Sequence, residues 1–283
     1  MDIRKEIVVI REILGLTQKE LAQALHVAFE TVNRWETGEN EADISNVEKI
    51  YSFAFQNGIF FNMLYEQLLK EEYCSDNVLV LFHGSNCEIS FPIDLDHSRA
   101  LNDFGKGFYL GESLEQAATY VANSKTAFVY IFALDKSDLN IKYFSVDWKW
   151  MLMIAWFRGW LTNYQDNSMI QELLCEIKDA DIIVAPIADN RMFDLLSQFG
   201  RGEITDLQCQ HALSATNLGA QYILKSEKAV NALSLLKVSY ISSPEKERYK
   251  KVRLDLHEQS MDKVKLARIE YRGKGRYIDE VLQ

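Results

Sequence analysis

The chain is poor in the residues from which several kinds of site are built. It has three prolines, five histidines and four cysteines in 283 residues. Cys74, Cys87, Cys175 and Cys209 form no C-x-x-C pair, and no ligand spacing joins them to the scattered histidines. This argues against a zinc or other metal site and against a disulfide framework, and it points to a reducing, cytoplasmic setting. No apolar run is long enough for a bilayer. The most apolar stretch, WKWMLMIAWFRGWL (148–161), is short and carries Lys149 and Arg158, so it reads as a buried core helix rather than a membrane segment. MDIRKEIVVIREIL has charges inside its apolar pattern and is no signal peptide. The triplet Asp103-Phe104-Gly105 matches the metal-binding letters of protein kinases, but neither a V-A-I-K strand nor an H-R-D loop precedes it. A G-x-x-x-x-G-K-[ST] phosphate loop is also absent.

What the chain does have is a hydrophobic fraction of 48%, enough for a substantial core, and an uneven charge. Its net charge is −10. Residues 1–72 hold seven Lys/Arg against thirteen Asp/Glu, whereas residues 244–276 hold eleven against six. An acidic head and a basic tail attract each other or different partners, while the plainer reading of the tail is a solvated helix.

The first seventy residues read as short helices. Ile3, Ile7, Ile10, Ile13 and Leu14 follow helical spacing up to Gly15. Thr17 with Glu20 three residues later is a capping-box pattern, opening a helix that buries Leu21, Ala22 and Leu25. A turn at His26-Val27 leads to FETVNRWETG, closed by Gly38, and ISNVEKIYSFAFQ supplies another helix. Two short helices joined by a tight turn and flanked by others describe a helix-turn-helix domain.

From Val78 the pattern changes. VLVLFHGS (78–85) is apolar on both faces and reads as a central strand closed by His83. In DFGKGFYLG (103–111), a strand over 107–111 sends Phe108 and Leu110 to one face and Gly107, Tyr109 and Gly111 to the other. The Tyr109 ring between two glycines is either a platform for a flat ligand or the corner of a sheet where glycines relieve crowding. SLEQAATYVANS adds a helix with Ser113 and Gln116 as a capping box. AFVYIFALD (127–135), ADIIVAPIADNR (180–191) and GAQYILKS (219–226) add strands, the last with Gln221 on the face of Ile223. A glutamine in an apolar strand must find hydrogen-bond partners or cost about 1–3 kcal/mol.

Two resemblances organise these observations. GLTQKELAQALHVAFETVNRWETG resembles the phage-repressor (XRE/Cro-like) class of helix-turn-helix proteins. That resemblance implies DNA contacts from Gln18 at the start of the second helix and from Phe29, Glu30 and Arg34 on the recognition helix, with Thr31 and Asn33 near the backbone. The acidity of this segment opposes phosphate binding, so a dimerisation or protein-docking role stands beside the DNA-binding one. His83, Tyr109 and Gln221, on three strands in that order, resemble the diphtheria-toxin-type ADP-ribosyltransferases. More specifically, DFGKGFYLG followed by QA is similar to a family of bacterial toxin-type ADP-ribosyltransferase-like domains (DUF3990-like).

The second resemblance implies NAD as substrate. His83 would bond a ribose, the Gly84 backbone would meet the carboxamide, Tyr109 would stack on nicotinamide, and Ser85 and Phe108 would complete the binding site. Gln221 stands where a glutamate is commoner, and it brings no charge. Should Gln221 not be the third residue of the signature, Glu203 and Gln208 are the next candidates; Arg99 and residues 188–190 are possible linings of an acceptor or diphosphate side.

The expected architecture is therefore multidomain. An all-α helix-turn-helix domain (1–74) is followed by an α+β, ADP-ribosyltransferase-like split-sheet domain (75–243) and a basic helical segment (244–283) opened by Ser243-Pro244. The expected protein is a homodimeric cytoplasmic enzyme of toxin or defence type, with NAD, DNA and an antitoxin protein as partners and no metal or membrane. The alternative is a transcriptional regulator that senses NAD or ADP-ribose without turnover.

Overall fold

The computed structural model describes residues 2–187, 190–214 and 219–283, the side chains of 190, 191, 256, 257, 259 and 260 excepted. Five helices come first: α1 (Arg4–Leu14), α2 (Gln18–Leu25), α3 (Phe29–Thr37), α4 (Ile44–Gln56) and α5 (Phe61–Tyr73). There follow β1 (Val78–Ser85), β2 (Phe108–Gly111), α6 (Leu114–Val121), β3 (Phe128–Asp135), β4 (Ile141–Tyr143), α7 (Trp148–Phe157), α8 (Ser168–Ile177) and β5 (Ile182–Pro186). The remainder is α9 (Asn190–Gly200), α10 (Asp206–Ser214), β6 (Ala220–Leu224), α11 (Glu227–Asn231), β7 (Leu233–Tyr240), α12 (Ser243–Glu270) and α13 (Ile278–Val281). A helical N-terminal region thus precedes a mixed α/β region with seven strands among the described residues.

The chain packs as two compact units. The first comprises residues through Glu88, Ser113–Ala133 and Leu235–Val252; the second comprises Ile89–Glu112, Leu134–Ser234 and Arg253–Gln283. Packing therefore groups the N-terminal helices with β1, α6 and most of β3 and β7.

In the first unit the sequence signals act as expected. Thr17 Oγ1 accepts from the Glu20 amide while the Glu20 carboxylate accepts from the Thr17 amide, completing the capping box of α2. Gly15 and Gly38 close α1 and α3 at φ 65° and 77°, the left-handed region that glycine enters without steric cost. Ile7, Ile10, Leu21, Val32, Trp35, Val47 and Ile50 are buried. Ile13 does not join them and is 61% exposed. The neighbouring strands β1, β3 and β7 follow in that order. Val80 and Phe82 of β1 pack with Leu114, Ala117, Ala118 and Val121 of α6, the stripe that the spacing predicts.

Polar groups run through this unit. Glu6, almost fully buried, accepts from Tyr65 Oη at 2.6 Å and from Lys237 Nζ at 2.6 Å, with Tyr51 Oη at 3.4 Å. Tyr51 also lies 3.2 Å from Ser239, and Asn62 donates to the Tyr240 carbonyl and to Glu245. These bonds join α1, α4 and α5 to β7 and the start of α12.

In the second unit the strand order is β4-β5-β6-β2. β6 runs antiparallel to both β2 and β5, and β4 is parallel to β5. The segment expected as a core helix is α7, with Trp150–Ala155 fully buried against α8, α9 and α10. Ile183, Ala185 and Ile223 turn the sheet's inner face toward that core.

Candidate functional site

Register sets the geometry of the Tyr109 face. Tyr109 pairs with Ile223 and Gly111 with Gln221, and on the far side Ala185 pairs with Gln221. Residues directly opposite in antiparallel strands share a face, so Tyr109 and Gln221 stand on one side of β2 and β6, one diagonal apart. Gln221 sits between a glycine and an alanine, which leaves room for its longer side chain. Phe108, on the opposite side, is buried.

Gln221 is buried and hydrogen-bonded. Its Nε2 donates to Asp103 Oδ2 at 3.0 Å and to the Pro186 carbonyl at 3.1 Å. Asp103 is itself only 5% exposed, and its other oxygen, Oδ1, accepts from Arg158 Nε at 3.2 Å and Nη2 at 2.6 Å. The Arg158 guanidinium lies 4.2 Å from the Phe193 ring centre. An ion pair this enclosed keeps both charges only because each has several partners.

Tyr109 is tied to the turn that precedes it. Its hydroxyl donates to the Gly105 carbonyl at 2.7 Å and accepts from the Phe104 amide at 3.2 Å. Burial pushes its phenol above the ordinary value. Lys225, just past β6, donates to the Phe104 carbonyl at 2.8 Å and to the Lys106 carbonyl. Burial lowers its pKa to about 8. The carbonyls of 104, 105 and 106 are thus all taken by side chains from β2 and from the end of β6.

The glycines in this stretch have neighbours. A methyl group on Gly107 would stand 2.7 Å from the Leu224 carbonyl and 2.8 Å from Ile223 Cγ2, so close approach of β6 explains that residue. On Gly105 it would meet the Phe157 ring at 2.9 Å.

The other expected site residues lie as follows. His83, at the end of β1 in the first unit, is half-buried. Gly84 lets α6 approach, since a methyl there would stand 2.2 Å from the Ala117 carbonyl. Ser85 turns back on Cys87, donating to its carbonyl at 2.7 Å. Glu203 pairs with Arg201 at 3.0 Å, and Gln208 donates to the Arg268 carbonyl at 2.7 Å; neither is among the groups bonded to Gln221. Arg99 is exposed. Ala188 and Asp189 fall outside the described residues, as does the side chain of Asn190.

Sequence reasoning missed Asp103 and Arg158. In the sequence Asp103 reads as the first letter of a kinase-like triplet, and Arg158 as a charge that excludes a membrane segment. The lone amide in β6 was the available signal, because it required a polar partner somewhere in the chain.

On the helix-turn-helix, Phe29, Glu30, Asn33 and Arg34 line the outer side of α3, opposite buried Val32 and Trp35, and Thr31 is half-buried. Gln18 donates to Glu36 at 2.7 Å, and Glu36 also holds Arg11 at 2.5 Å.

Comparison with protein families matches residues 79–235, from β1 into β7, to a family described as a protein of unknown function, DUF3990. The chain belongs to the DUF3990 family. A second family, described as helix-turn-helix, matches residues 9–51, from α1 into α4. A search of the curated proteins found no match, and a search of the solved structures found none. The DUF3990 match includes Tyr109, Gln221, Asp103 and Arg158. Among the described residues, no helix is long and apolar enough to cross a membrane.

Proposed function

We propose that this DUF3990 chain is an NAD-dependent ADP-ribosyltransferase of toxin or defence type, carrying a helix-turn-helix that binds DNA. The observation that supports it most is the shared face of Tyr109 and Gln221 on the neighbouring strands β2 and β6. A ring and a hydrogen-bonding amide held side by side suit a nicotinamide and the ribose attached to it. In the reaction, the bond between the ribose C1′ and the nicotinamide nitrogen breaks, and its electron pair leaves with nicotinamide. A nucleophile on the acceptor bonds to C1′ and releases its proton to solvent. Groups facing the positive charge that develops on the ribose lower the barrier.

The test is incubation of the purified chain with NAD labelled in its adenosine half, together with cell lysate. Release of nicotinamide and transfer of label to protein, DNA or RNA are expected. Tyr109→Ala is expected to weaken NAD binding by about 1 kcal/mol through lost stacking. No binding by the wild-type chain at millimolar NAD, or equal binding by the variant, overturns the assignment.

Gln221 in place of a carboxylate favours a second reading, a regulator that binds NAD or ADP-ribose without turnover. Binding with neither nicotinamide release nor label transfer selects it. In both readings α3 addresses DNA as a homodimer on a two-fold site. Arg34→Ala is expected to abolish sequence-specific binding in a gel-shift assay.

A further inference from the structure

Gln221 has two ends, and the structure uses one of them. Its nitrogen faces the Asp103 carboxylate and the Pro186 carbonyl, at 3.0 and 3.1 Å. Neither oxygen carries a proton to donate, since Asp103 is ion-paired with Arg158. Only the NH2 end of the amide satisfies both, so its orientation is fixed by chemistry rather than by shape. Both N–H groups are thereby engaged. The carbonyl oxygen, Oε1, is the end that these contacts leave for other use.

Asp103 divides its oxygens in the same way. Arg158 occupies Oδ1 with two bonds and Gln221 occupies Oδ2 with one. Arg158 therefore holds the carboxylate in place without competing for the oxygen that meets the amide. A hydrogen bond from an amide N–H to a carboxylate is charge-assisted, and it shifts electron density through the amide toward its oxygen.

We infer that Asp103 is a positioning residue that orients and polarises Gln221, so that Gln221 presents a more negative Oε1 to the substrate. This rests on the ADP-ribosyltransferase reading and deepens it. The amide then supplies part of what a glutamate would supply at this position: an oxygen of raised negative charge facing the ribose as nicotinamide departs. The formal charge stays on Asp103, one hydrogen bond behind, paired with Arg158.

The experiment compares wild type with Asp103→Asn, Gln221→Glu and the reciprocal double variant Asp103→Asn/Gln221→Glu. Two properties are measured: kcat and KM for nicotinamide release, and denaturant stability from pH 5 to 8. In Asp103→Asn, the oxygen stays with Arg158 and an NH2 group faces the Gln221 amide, so Gln221 loses its orientation. A fall in kcat of tenfold or more, with a smaller change in KM, is expected; a role in folding alone would leave that split unmoved. Gln221→Glu sets a carboxylate against Asp103 and the Pro186 carbonyl. Its new carboxyl takes up a proton in the folded state, so that variant loses stability relative to wild type as pH rises from 5 to 8. The double variant restores a donor facing an acceptor, and is expected to lose that pH dependence and recover cleavage.

Asp103→Asn with wild-type kcat overturns the inference. So does Gln221→Glu with wild-type stability across the pH range. If wild type releases no nicotinamide, the enzymatic reading fails separately. The orientation of Gln221 is then decided by the stability curves alone, and a pH dependence equal in the single and double variants overturns it.

Discussion

Glu6 in the first unit and Asp103 in the second are both buried carboxylates held by a cation, yet their surroundings differ in kind. Glu6 is met by Lys237 and by the hydroxyls of Tyr51 and Tyr65, so its partners are the edge strand β7 and two helices. Glu6 Oε2 is left with no hydrogen-bond partner. Asp103 has each oxygen matched, one to Arg158 and the other to an amide on the inner face of a sheet. A buried charge with an unmatched atom costs stability, and fastening elements together is what it does in return. A buried charge whose every oxygen is matched, one of them to an amide N–H, is suited to setting the polarity of a neighbour. The same chemical pair thus serves as a fastener in one region and as an orienting device in the other.

The sharpest way to break that comparison is to remove the cation from each. Lys237→Met leaves Glu6 buried without its charge partner and is expected to cost about 3–5 kcal/mol in denaturant unfolding. Next comes pH. Glu245 is buried near Asn62, and desolvation raises its carboxyl pKa to about 7. A raised folded value means that its stability contribution is complete below the usual carboxylate range and is lost as pH climbs through 7. Unfolding free energy is therefore expected to fall between pH 5 and 8, by up to about 3 kcal/mol, and Glu245→Gln to flatten the curve. Arg158→Met is expected to cost less than Lys237→Met, about 1–2 kcal/mol, because Asp103 keeps the Gln221 amide on its other oxygen, whereas the other oxygen of Glu6 has no partner. A loss equal to that of Lys237→Met would erase the distinction between the two sites. Smallest is Tyr109→Phe, which removes the hydroxyl bridging Phe104 and Gly105 and is expected to cost about 1 kcal/mol.

Much of the framework was legible locally. The capping boxes at Thr17 and Ser113 declare themselves within four residues, and both are present. β1, β3, β5 and β6 appear as apolar runs because a strand covered on both faces needs no polar alternation. β4 and β7 carry no such signature. β4 is three residues long, too short for a period to register. β7 carries Ser234, Lys237 and Ser239, and reads as solvent-facing until its partners are known. Those partners are Glu6 and Asn62, far upstream in the chain, and no local pattern encodes a pairing at that separation. The candidate site divided in the same way. Tyr109 and Gln221 stood out against their neighbours, one by glycines on either side and the other by polarity in an apolar strand. Asp103 and Arg158 did not, because a charged residue in a turn or at a helix end looks solvated unless its burial is known.

The clamp around residues 103–107 carries a consequence for how sequences of this family change. Three successive carbonyls are read by two side chains, the Tyr109 hydroxyl and the Lys225 ammonium, from the two strands at one end of the β2–β6 pair. A clamp of that kind fixes a count. One residue more between Asp103 and Tyr109 would put a different carbonyl in front of each donor. Among DUF3990 chains, then, the length of this segment and the presence of a lysine after the amide-bearing strand are expected to be inherited together. Where the lysine is replaced, insertions and deletions should collect between the aspartate and the tyrosine.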